Sequence, residues 1–190
     1  MQSHPQETKE LMTNSLFELG NHTWSHGNLA VLHGEEMQQQ VLKTQRIYDE
    51  FRDELAAQNY HPIPEMRTVR FPYGRCNSKS LEFLRQQQLL AIQWDVVTAD
   101  PSPKQTAKGI INIVKKQVKP GSIIIAHANG RGHGTAGALE ELIPWLKRQG
   151  YEFVTVSELL QEAQEVKAVD TCYELVPGDN VKYDRLFKQK

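Results

Sequence analysis

The chain has no long apolar run and little net charge, and each absence excludes a class of protein. No stretch of about 18 apolar residues occurs, so the sequence predicts no membrane-spanning helix. The N-terminus MQSHPQETKE does not join a charged region to an apolar one, so no export signal is expected in this chain. The formal net charge of −1 rules out a strong field of either sign. Charge therefore indicates neither nucleic acid nor a membrane as a partner.

Cysteine is also scarce. Only Cys76 and Cys172 occur, and their separation in sequence excludes a paired zinc-binding motif. We expect two unrelated thiols, with a single disulfide as the alternative, so the redox compartment stays open. With 190 residues, of which 39% are hydrophobic and 24% charged, the chain has the composition of one soluble globular domain with a short tail.

Helical and extended patterns alternate along most of the chain. From Gly34 to about Leu55 the apolar residues recur every three, four or seven positions, which predicts an amphipathic helix. Further helices are expected in SKSLEFLRQQQ, in PKQTAKGIINIVKKQV, which has Pro103 at its start, and in AGALEELIPWLKRQG, which Gly150 ends. Strands are expected in TVRF (68–71), LLAIQWDVV (89–97), SIIIAH (122–127) and EFVTV (152–156). The alternation predicts an α/β fold with a parallel sheet, open or closed into a barrel.

Polar residues follow three of these strands at their carboxyl ends. Arg70 to Gly74 end TVRF, Asp100 lies just past LLAIQWDVV, and His127 ends SIIIAH. Chemistry in parallel α/β folds takes place at this edge of the sheet. After about Lys167 the alternation ends, so we expect a domain at 1–166 and an appended tail at 167–190.

The stretch ELGNHTWSHGNL (18–29) contains two histidines that are four residues apart. On a helical turn this spacing brings both imidazoles of His22 and His26 to one side, where they suit zinc or a similar metal. A surface or helix-capping pair is the alternative. Asn21 and Thr23 can cap a helix or orient the imidazoles, and Trp24 is expected to be a packing residue.

Two further groups of residues carry possible chemistry. In RFPYG (70–74), the proline stiffens a turn whose backbone N–H groups can face an oxyanion, although a plain turn with an exposed arginine explains the pattern equally well. Asp100 can pair with His127 and hold it protonated as a general acid, or it can be a turn residue beside a buried core histidine. The glycine-rich ANGRGHGTAG (128–137) does not match a phosphate-binding loop, and His133 is expected to be a flexible loop residue.

Four of these stretches, in this order, resemble motifs of the polysaccharide deacetylase family, also called carbohydrate esterase family four. HTWSH matches H-[ST]-x-x-H, which implies that His22 and His26 are metal ligands. RFPY matches R-x-P-[YF], which implies that Arg70 orients the catalytic base. The same match implies that Pro72 and Tyr73 belong to the oxyanion site, where the Tyr73 backbone N–H helps to bind the oxyanion.

The other two motifs imply the general acid and the residue that supports it. IIAH matches L-x-L-H, which implies that His127 is the general acid and that Ile125 and Ala126 wall the acetyl pocket. WDVVTADP aligns with D-x-x-D-W, which implies that Asp100 supports the acid, although Pro101 replaces the tryptophan. The family fold is a distorted (β/α) barrel with fewer than eight units, in agreement with the alternation.

The family's first motif, T-F-D-D, has no counterpart in the chain. In the family it supplies the third metal ligand and the general base, and it is separated from the histidine pair by a strand, a helix and another strand. Only 21 residues precede His22, too few for those elements. We therefore expect an incomplete distorted (β/α) barrel with its first strand or strands missing, a partial deacetylase domain at 1–166, and little or no activity in this chain alone.

The resemblance implies a hydrolase that removes N-acetyl groups from an acetylated polysaccharide or oligosaccharide, such as peptidoglycan or a chitin-like glycan. It also implies a divalent metal, with zinc preferred over cobalt or manganese, and an extracellular or periplasmic location. The alternatives are a non-catalytic carbohydrate-binding relative or inactive fragment, and an unrelated α/β protein whose histidine pair is structural.

Overall fold

A computed structural model of the chain describes residues 1–60, 62–163 and 172. Its helices and strands follow the order that the sequence predicts between residues 34 and 148, where one predicted strand is divided into two. They are α1 (Pro5–Thr13), α2 (Gly34–Ala57), β1 (Thr68–Val69), a 3₁₀ turn (Pro72–Gly74), α3 (Ser78–Gln86), β2 (Leu90–Ala91), β3 (Val96–Val97), α4 (Ala107–Gln117), β4 (Ile124–Ile125), α5 (Thr135–Arg148) and α6 (Val156–Glu162). Within the described ranges, no helix has both the length and the apolar character needed to cross a membrane.

The chain divides into two compact units, whose boundary in the middle of the chain lies between Ile92 and Gln93. The described residues of the first unit are 1–60, 62–92, 155–163 and 172, and those of the second are 93–154. In the described residues, each unit has one parallel strand pair and its own apolar core. The predicted α/β class with parallel strands is therefore confirmed.

In the first unit, β1 pairs in parallel with β2, and Asn21 forms a further parallel bridge to Val69. Helix α2 forms where the sequence predicts it, because its apolar positions fall on one buried stripe and Glu35 and Glu36 stabilise its first turn. One core cluster joins that stripe to β1 and α3; it comprises Leu29, Met37, Val41, Val69, Phe71, Phe83, Leu84 and Leu89. A second cluster comprises Met12, Tyr48, Leu55 and Met66. These contacts hold the outer helices against the strands.

In the second unit, β3 pairs in parallel with β4, and helices α4 and α5 supply most of the core. The core cluster comprises Val96, Ile110, Ile111, Val114, Ala138 and Leu142. Helix α5 is followed by Gly150 in the left-handed conformation, as predicted. The prediction that Pro103 starts α4 is wrong, because the helix begins at Ala107, where the Thr106 hydroxyl caps the Gly109 N–H at 3.1 Å.

Two predicted strands are shorter than expected, since TVRF contributes only β1 and SIIIAH only β4, and the other two differ more strongly. LLAIQWDVV is not one strand, since β2 ends at Ala91 and pairs in the first unit, while β3 begins at Val96 and pairs in the second. EFVTV contains no strand, and Val156 begins α6 instead. The reason is a capping box, in which the Thr155 hydroxyl accepts from the Glu158 N–H at 3.2 Å and the Glu158 carboxylate accepts from the Thr155 N–H at 2.7 Å.

The cysteine prediction is also wrong, because Cys76 and Cys172 form a disulfide. Their separation of 96 residues hid this pairing, since only the folded chain brings the two thiols together. The other residues of the predicted tail lie outside the described part of the chain, as do residues 164–166 at the end of the predicted domain.

Candidate active site

The two histidines of HTWSH lie on an irregular loop and not on a helical turn, which corrects the expectation from their spacing. Thr23 and His26 adopt the left-handed backbone conformation, with φ of 66° and 60°. The loop nevertheless brings the imidazoles of His22 and His26 together, with ring centroids 4.9 Å apart and planes at 83°. The juxtaposition depends on the fold, since no regular helix imposes it.

Asn21 holds this loop against helix α2 and strand β1. Its side chain is fully buried, and its amide donates to the Val41 carbonyl at 3.0 Å and to Gln45 Oε1 at 2.8 Å. Its side-chain oxygen accepts from the Thr23 N–H at 2.8 Å. Asn21 orients the histidine loop through these contacts and does not cap a helix. The structure thereby selects one of the two roles that the sequence left open.

The His22 ring is oriented from the β1 strand end. Its Nδ1 lies 2.7 Å from the Arg70 carbonyl oxygen. A carbonyl only accepts, so Nδ1 carries the proton and Nε2 is the unprotonated nitrogen of the neutral ring. This is the arrangement in which a metal-ligating histidine is usually held. The His26 ring packs edge-on against Tyr73, with centroids 4.6 Å apart.

The pair alone does not complete a metal site. Within residues 1–60, 62–163 and 172, no group of three histidine, cysteine, aspartate or glutamate side chains is arranged to hold a metal ion. A catalytic zinc takes three protein ligands and keeps one open position. His22 and His26 therefore supply two of the three protein ligands that such a site needs.

The RFPYG segment forms a tight turn directly after β1. Phe71 and Pro72 are buried, and the Gly74 N–H donates to the Phe71 carbonyl at 3.0 Å. Tyr73 adopts the left-handed conformation with a φ of 59°. A non-glycine residue in this region is strained, and such strain occurs at functional sites. The turn fixes the direction of the Tyr73 backbone N–H, which the family resemblance predicts to bind the oxyanion.

Asp100 and His127, which follow β3 and β4, form a carboxylate–imidazole pair in the second unit, in which the carboxylate is buried and the imidazole is partly exposed. Asp100 is 1% exposed, and its Oδ1 lies 2.8 Å from His127 Nδ1. Its Oδ2 accepts from the His127 backbone N–H at 2.6 Å and from the Thr135 hydroxyl at 2.6 Å. Ile125, two residues before the histidine, is buried in β4.

Hydrogen bonding decides the charge of the Asp100 carboxyl. Burial by itself raises its pKa, but the hydrogen bonds from Thr135 and then from His127 outweigh burial and hold the pKa below its ordinary value. Asp100 is therefore an anion at neutral pH. An anion can only accept, so His127 donates from Nδ1, and its Nε2 is the nitrogen that can exchange a proton elsewhere.

Three details differ from expectation or were missed. No sequence motif indicates Thr135 as a site residue, although a threonine at a helix start is a recognisable capping signal. His133 lies in a loop tied to the site, because its backbone N–H donates to the Asp100 carbonyl at 2.9 Å. Trp24 is not a core residue: it is 42% exposed, and Lys43 Nζ lies 3.7 Å from the centroid of its ring.

Comparison with known proteins extends these observations. The sequence profile of the family described as Polysaccharide deacetylase matches residues 1–92. The chain is 34% identical over 151 residues to a peptidoglycan-N-acetylglucosamine deacetylase of Bacillus cereus, an alignment that covers 78% of this chain and 51% of that protein. The chain thus spans about half the length of this relative.

Solved structures show the same fold over most of the chain. The crystal structure of the Bc1960 peptidoglycan N-acetylglucosamine deacetylase superposes with a TM-score of 0.73 at 30% identity, covering 87% of this chain and 72% of that one. A family 4 acetyl xylan esterase from Clostridium thermocellum, in complex with a cobalt ion, superposes with a TM-score of 0.72 at 25% identity, covering 93% and 80%. The chain belongs to the polysaccharide deacetylase family.

Proposed function

We propose that residues 1–166 carry a metal-dependent deacetylase domain, followed by a tail at 167–190, and that this domain removes N-acetyl groups from a polysaccharide or oligosaccharide. The observation that carries the proposal is the His22 imidazole, whose Nδ1 is held by the Arg70 carbonyl so that Nε2 is the nitrogen suited to a metal. Family membership supports the reaction class. The name of the Bacillus cereus relative supports peptidoglycan as the glycan, with chitin oligomers as the alternative.

His22 and His26 would hold the metal. Imidazole nitrogens suit zinc first, with cobalt or manganese as alternatives, and the acetyl xylan esterase relative contains cobalt. When bound, such a metal lowers the pKa of a water molecule and polarises the acetyl carbonyl. The protein's own part is to fix the ring orientations, which the Arg70 carbonyl does for His22 and the Tyr73 ring does for His26.

The turn after β1 would stabilise the negative charge that develops on the acetyl oxygen during the reaction. We assign the Tyr73 backbone N–H to the acetyl oxygen, where a fixed donor stabilises negative charge better than mobile water does. Pro72 keeps that donor in place because its ring limits the turn. Arg70 would orient a carboxylate base through its guanidinium, and Ile125 would line the acetyl pocket.

His127 would donate the proton that lets the amine leave. The Asp100 anion accepts from Nδ1 and stabilises the imidazolium, so the proton leaves from Nε2 to the departing nitrogen and a neutral ring remains. Acetate and a free amino sugar are the products. Taken alone, the 190-residue chain is expected to be weakly active or inactive, because the described residues provide neither a third metal ligand nor a carboxylate base beside the histidine pair.

The lack of a third metal ligand among the described residues favours a second candidate function, that of a carbohydrate-binding relative without catalysis. The disulfide supports an extracellular or periplasmic location for either candidate, since disulfides persist in oxidising compartments. For both, we propose an acetylated glycan as the partner and neither nucleic acid nor a membrane.

The test measures acetate release and glycan binding together. Purified chain with zinc or cobalt is incubated with acetylated chitooligosaccharide and with peptidoglycan fragments, and His22→Ala serves as the control. Slow acetate release that exceeds the metal-free blank and is abolished by His22→Ala supports the deacetylase function. Turnover at ordinary enzyme rates contradicts the predicted impairment. Binding without release supports the carbohydrate-binding alternative, and neither binding nor release overturns both.

A further inference from the structure

The Asp100 carboxylate has two oxygens, and each has a separate task. Oδ1 faces the His127 ring nitrogen at 2.8 Å. Oδ2 accepts two hydrogen bonds, both of 2.6 Å, from the His127 backbone N–H and the Thr135 hydroxyl. A carboxylate with one oxygen held on two sides cannot rotate without losing both bonds. The direction of Oδ1 toward the ring therefore depends on the donors at Oδ2.

Thr135 is built into this position by the backbone around it. It is 9% exposed and is the first residue of α5. Gly134 precedes it with a φ of 75°, and a Cβ there would lie 2.6 Å from the Ala107 backbone nitrogen. Only glycine allows this close approach, which places the start of α5 against α4. The Thr135 hydroxyl is thereby directed at Asp100 and not at solvent.

We propose that Thr135 is a positioning residue for the acid step: its hydroxyl fixes the Asp100 carboxylate so that Oδ1 keeps His127 in the Nδ1–H form, with Nε2 directed to proton transfer. The inference rests on the proposed function, in which His127 is the acid. It adds a third member to the carboxylate–imidazole pair. Thr135 does not itself exchange a proton and need not contact the substrate.

The other titratable groups on the surrounding segments of the second unit do not replace this contact. Lys104 and Lys108 are exposed, as is Arg131. His133 reaches Asp100 only through its backbone N–H, which donates to the Asp100 carbonyl and not to the carboxylate. Among the described residues of this unit, Thr135 is thus the one side chain other than His127 that donates to the carboxylate.

The experiment reads the His127 ring directly. The full chain, labelled with ¹⁵N-histidine, is studied by imidazole ¹⁵N NMR at a pH where the ring is neutral, and the ratio of the Nδ1–H to the Nε2–H form is measured. We expect the Nδ1–H form to dominate in the wild type. Thr135→Val removes the donor and should lower the ratio at least threefold, whereas Thr135→Ser keeps the hydroxyl and should restore it to within twofold.

Thr106→Val is the matched control. Thr106 caps the start of helix α4 in the second unit, and its hydroxyl accepts from the Gly109 N–H and does not bond to Asp100. It should lose helix stability but leave the His127 ratio unchanged. Thr135→Ala is made in parallel, because alanine avoids placing a methyl group against the carboxylate if valine prevents folding.

An unchanged ratio in a folded Thr135→Val or Thr135→Ala variant overturns the proposal, and so does an equal change in Thr106→Val. Collapse of both Thr135 variants while Thr135→Ser folds with the wild-type ratio supports it; collapse of Thr135→Ser as well overturns it in favour of a structural role. The NMR ratio needs no turnover. Absence of acetate release from the wild type therefore counts against the proposed function and not against this measurement.

Discussion

Asn21→Ala tests whether one buried amide holds the histidine loop. The wild-type side chain is fully buried and makes three hydrogen bonds, to the Val41 carbonyl, to Gln45 and from the Thr23 N–H. Alanine removes all three without refilling the space. The loop would then be attached to α2 mainly through the contacts of the Gln40 side chain and backbone.

The expected loss follows from these contacts. Each hydrogen bond contributes a net stability of about 1 kcal/mol, and a buried N–H left without an acceptor costs about 1–3 kcal/mol. The Val41 carbonyl lies within helix α2 and can still accept a hydrogen bond from the helix backbone. The unsatisfied group in the variant is therefore mainly the Thr23 N–H. We expect the free energy of unfolding to fall by about 3–4 kcal/mol, a large part of the roughly 5–15 kcal/mol available to a domain.

Two measurements check this value. Urea unfolding followed by circular dichroism gives the change in stability, and calorimetric zinc titration gives the change in affinity of the histidine pair. Zinc affinity should fall by more than the loss of global stability alone would cause. The reason is that His22 follows Asn21 directly, so the substitution also disturbs the position of the His22 ring. The zinc titration is run without urea, at a temperature well below the unfolding midpoint of the variant.

Asn14→Ala is the matched control, since Asn14 is exposed and its side chain accepts from the Leu16 N–H at 3.0 Å. Its unfolding free energy should change by no more than about 0.5 kcal/mol. A loss below about 1 kcal/mol for Asn21→Ala, or equal losses in the two variants, would refute the reasoning, because both results mean that the buried bonds have equivalent replacements.

Three further predictions concern other parts of the chain. Reduction of the Cys76–Cys172 disulfide, which spans 96 residues, should lower the unfolding free energy by about 4–5 kcal/mol, and the double serine variant should not respond to reductant; equal midpoints with and without reductant would contradict this. Because the folded pKa of Asp100 lies below the ordinary value of an aspartate, its stabilisation is present above that ordinary value and lost as the pH falls through the folded pKa. Acid titration of the unfolding free energy should therefore be flatter for Asp100→Asn, and parallel curves would be evidence against it. Gly132→Ala should distort the surroundings of His127, since its Cβ would overlap the His127 carbonyl oxygen, whereas Gly130→Ala, with open space around it, should match the wild type in thermal melts and imidazole NMR.

Local patterns in the sequence predicted much of the fold. Helix α2 begins at Gly34 as expected, because its apolar stripe and acidic first turn are local properties. Local patterns also misled at two places. Thr155 and Glu158 close a capping box where alternating apolar residues indicated a strand, and Thr106 caps α4 where Pro103 was expected to start it.

The sequence by itself determined the family, the alternation of helices and strands, and the order of the residues at the strand ends, because motif spacing and periodicity need no long-range contact. Only the tertiary structure decided the contacts between distant residues. It paired Cys76 with Cys172, turned the His22 ring with the Arg70 carbonyl, and brought Thr135 onto Asp100. Each of these contacts joins residues at least 35 positions apart, and no local rule of spacing specifies which distant groups meet when the chain folds.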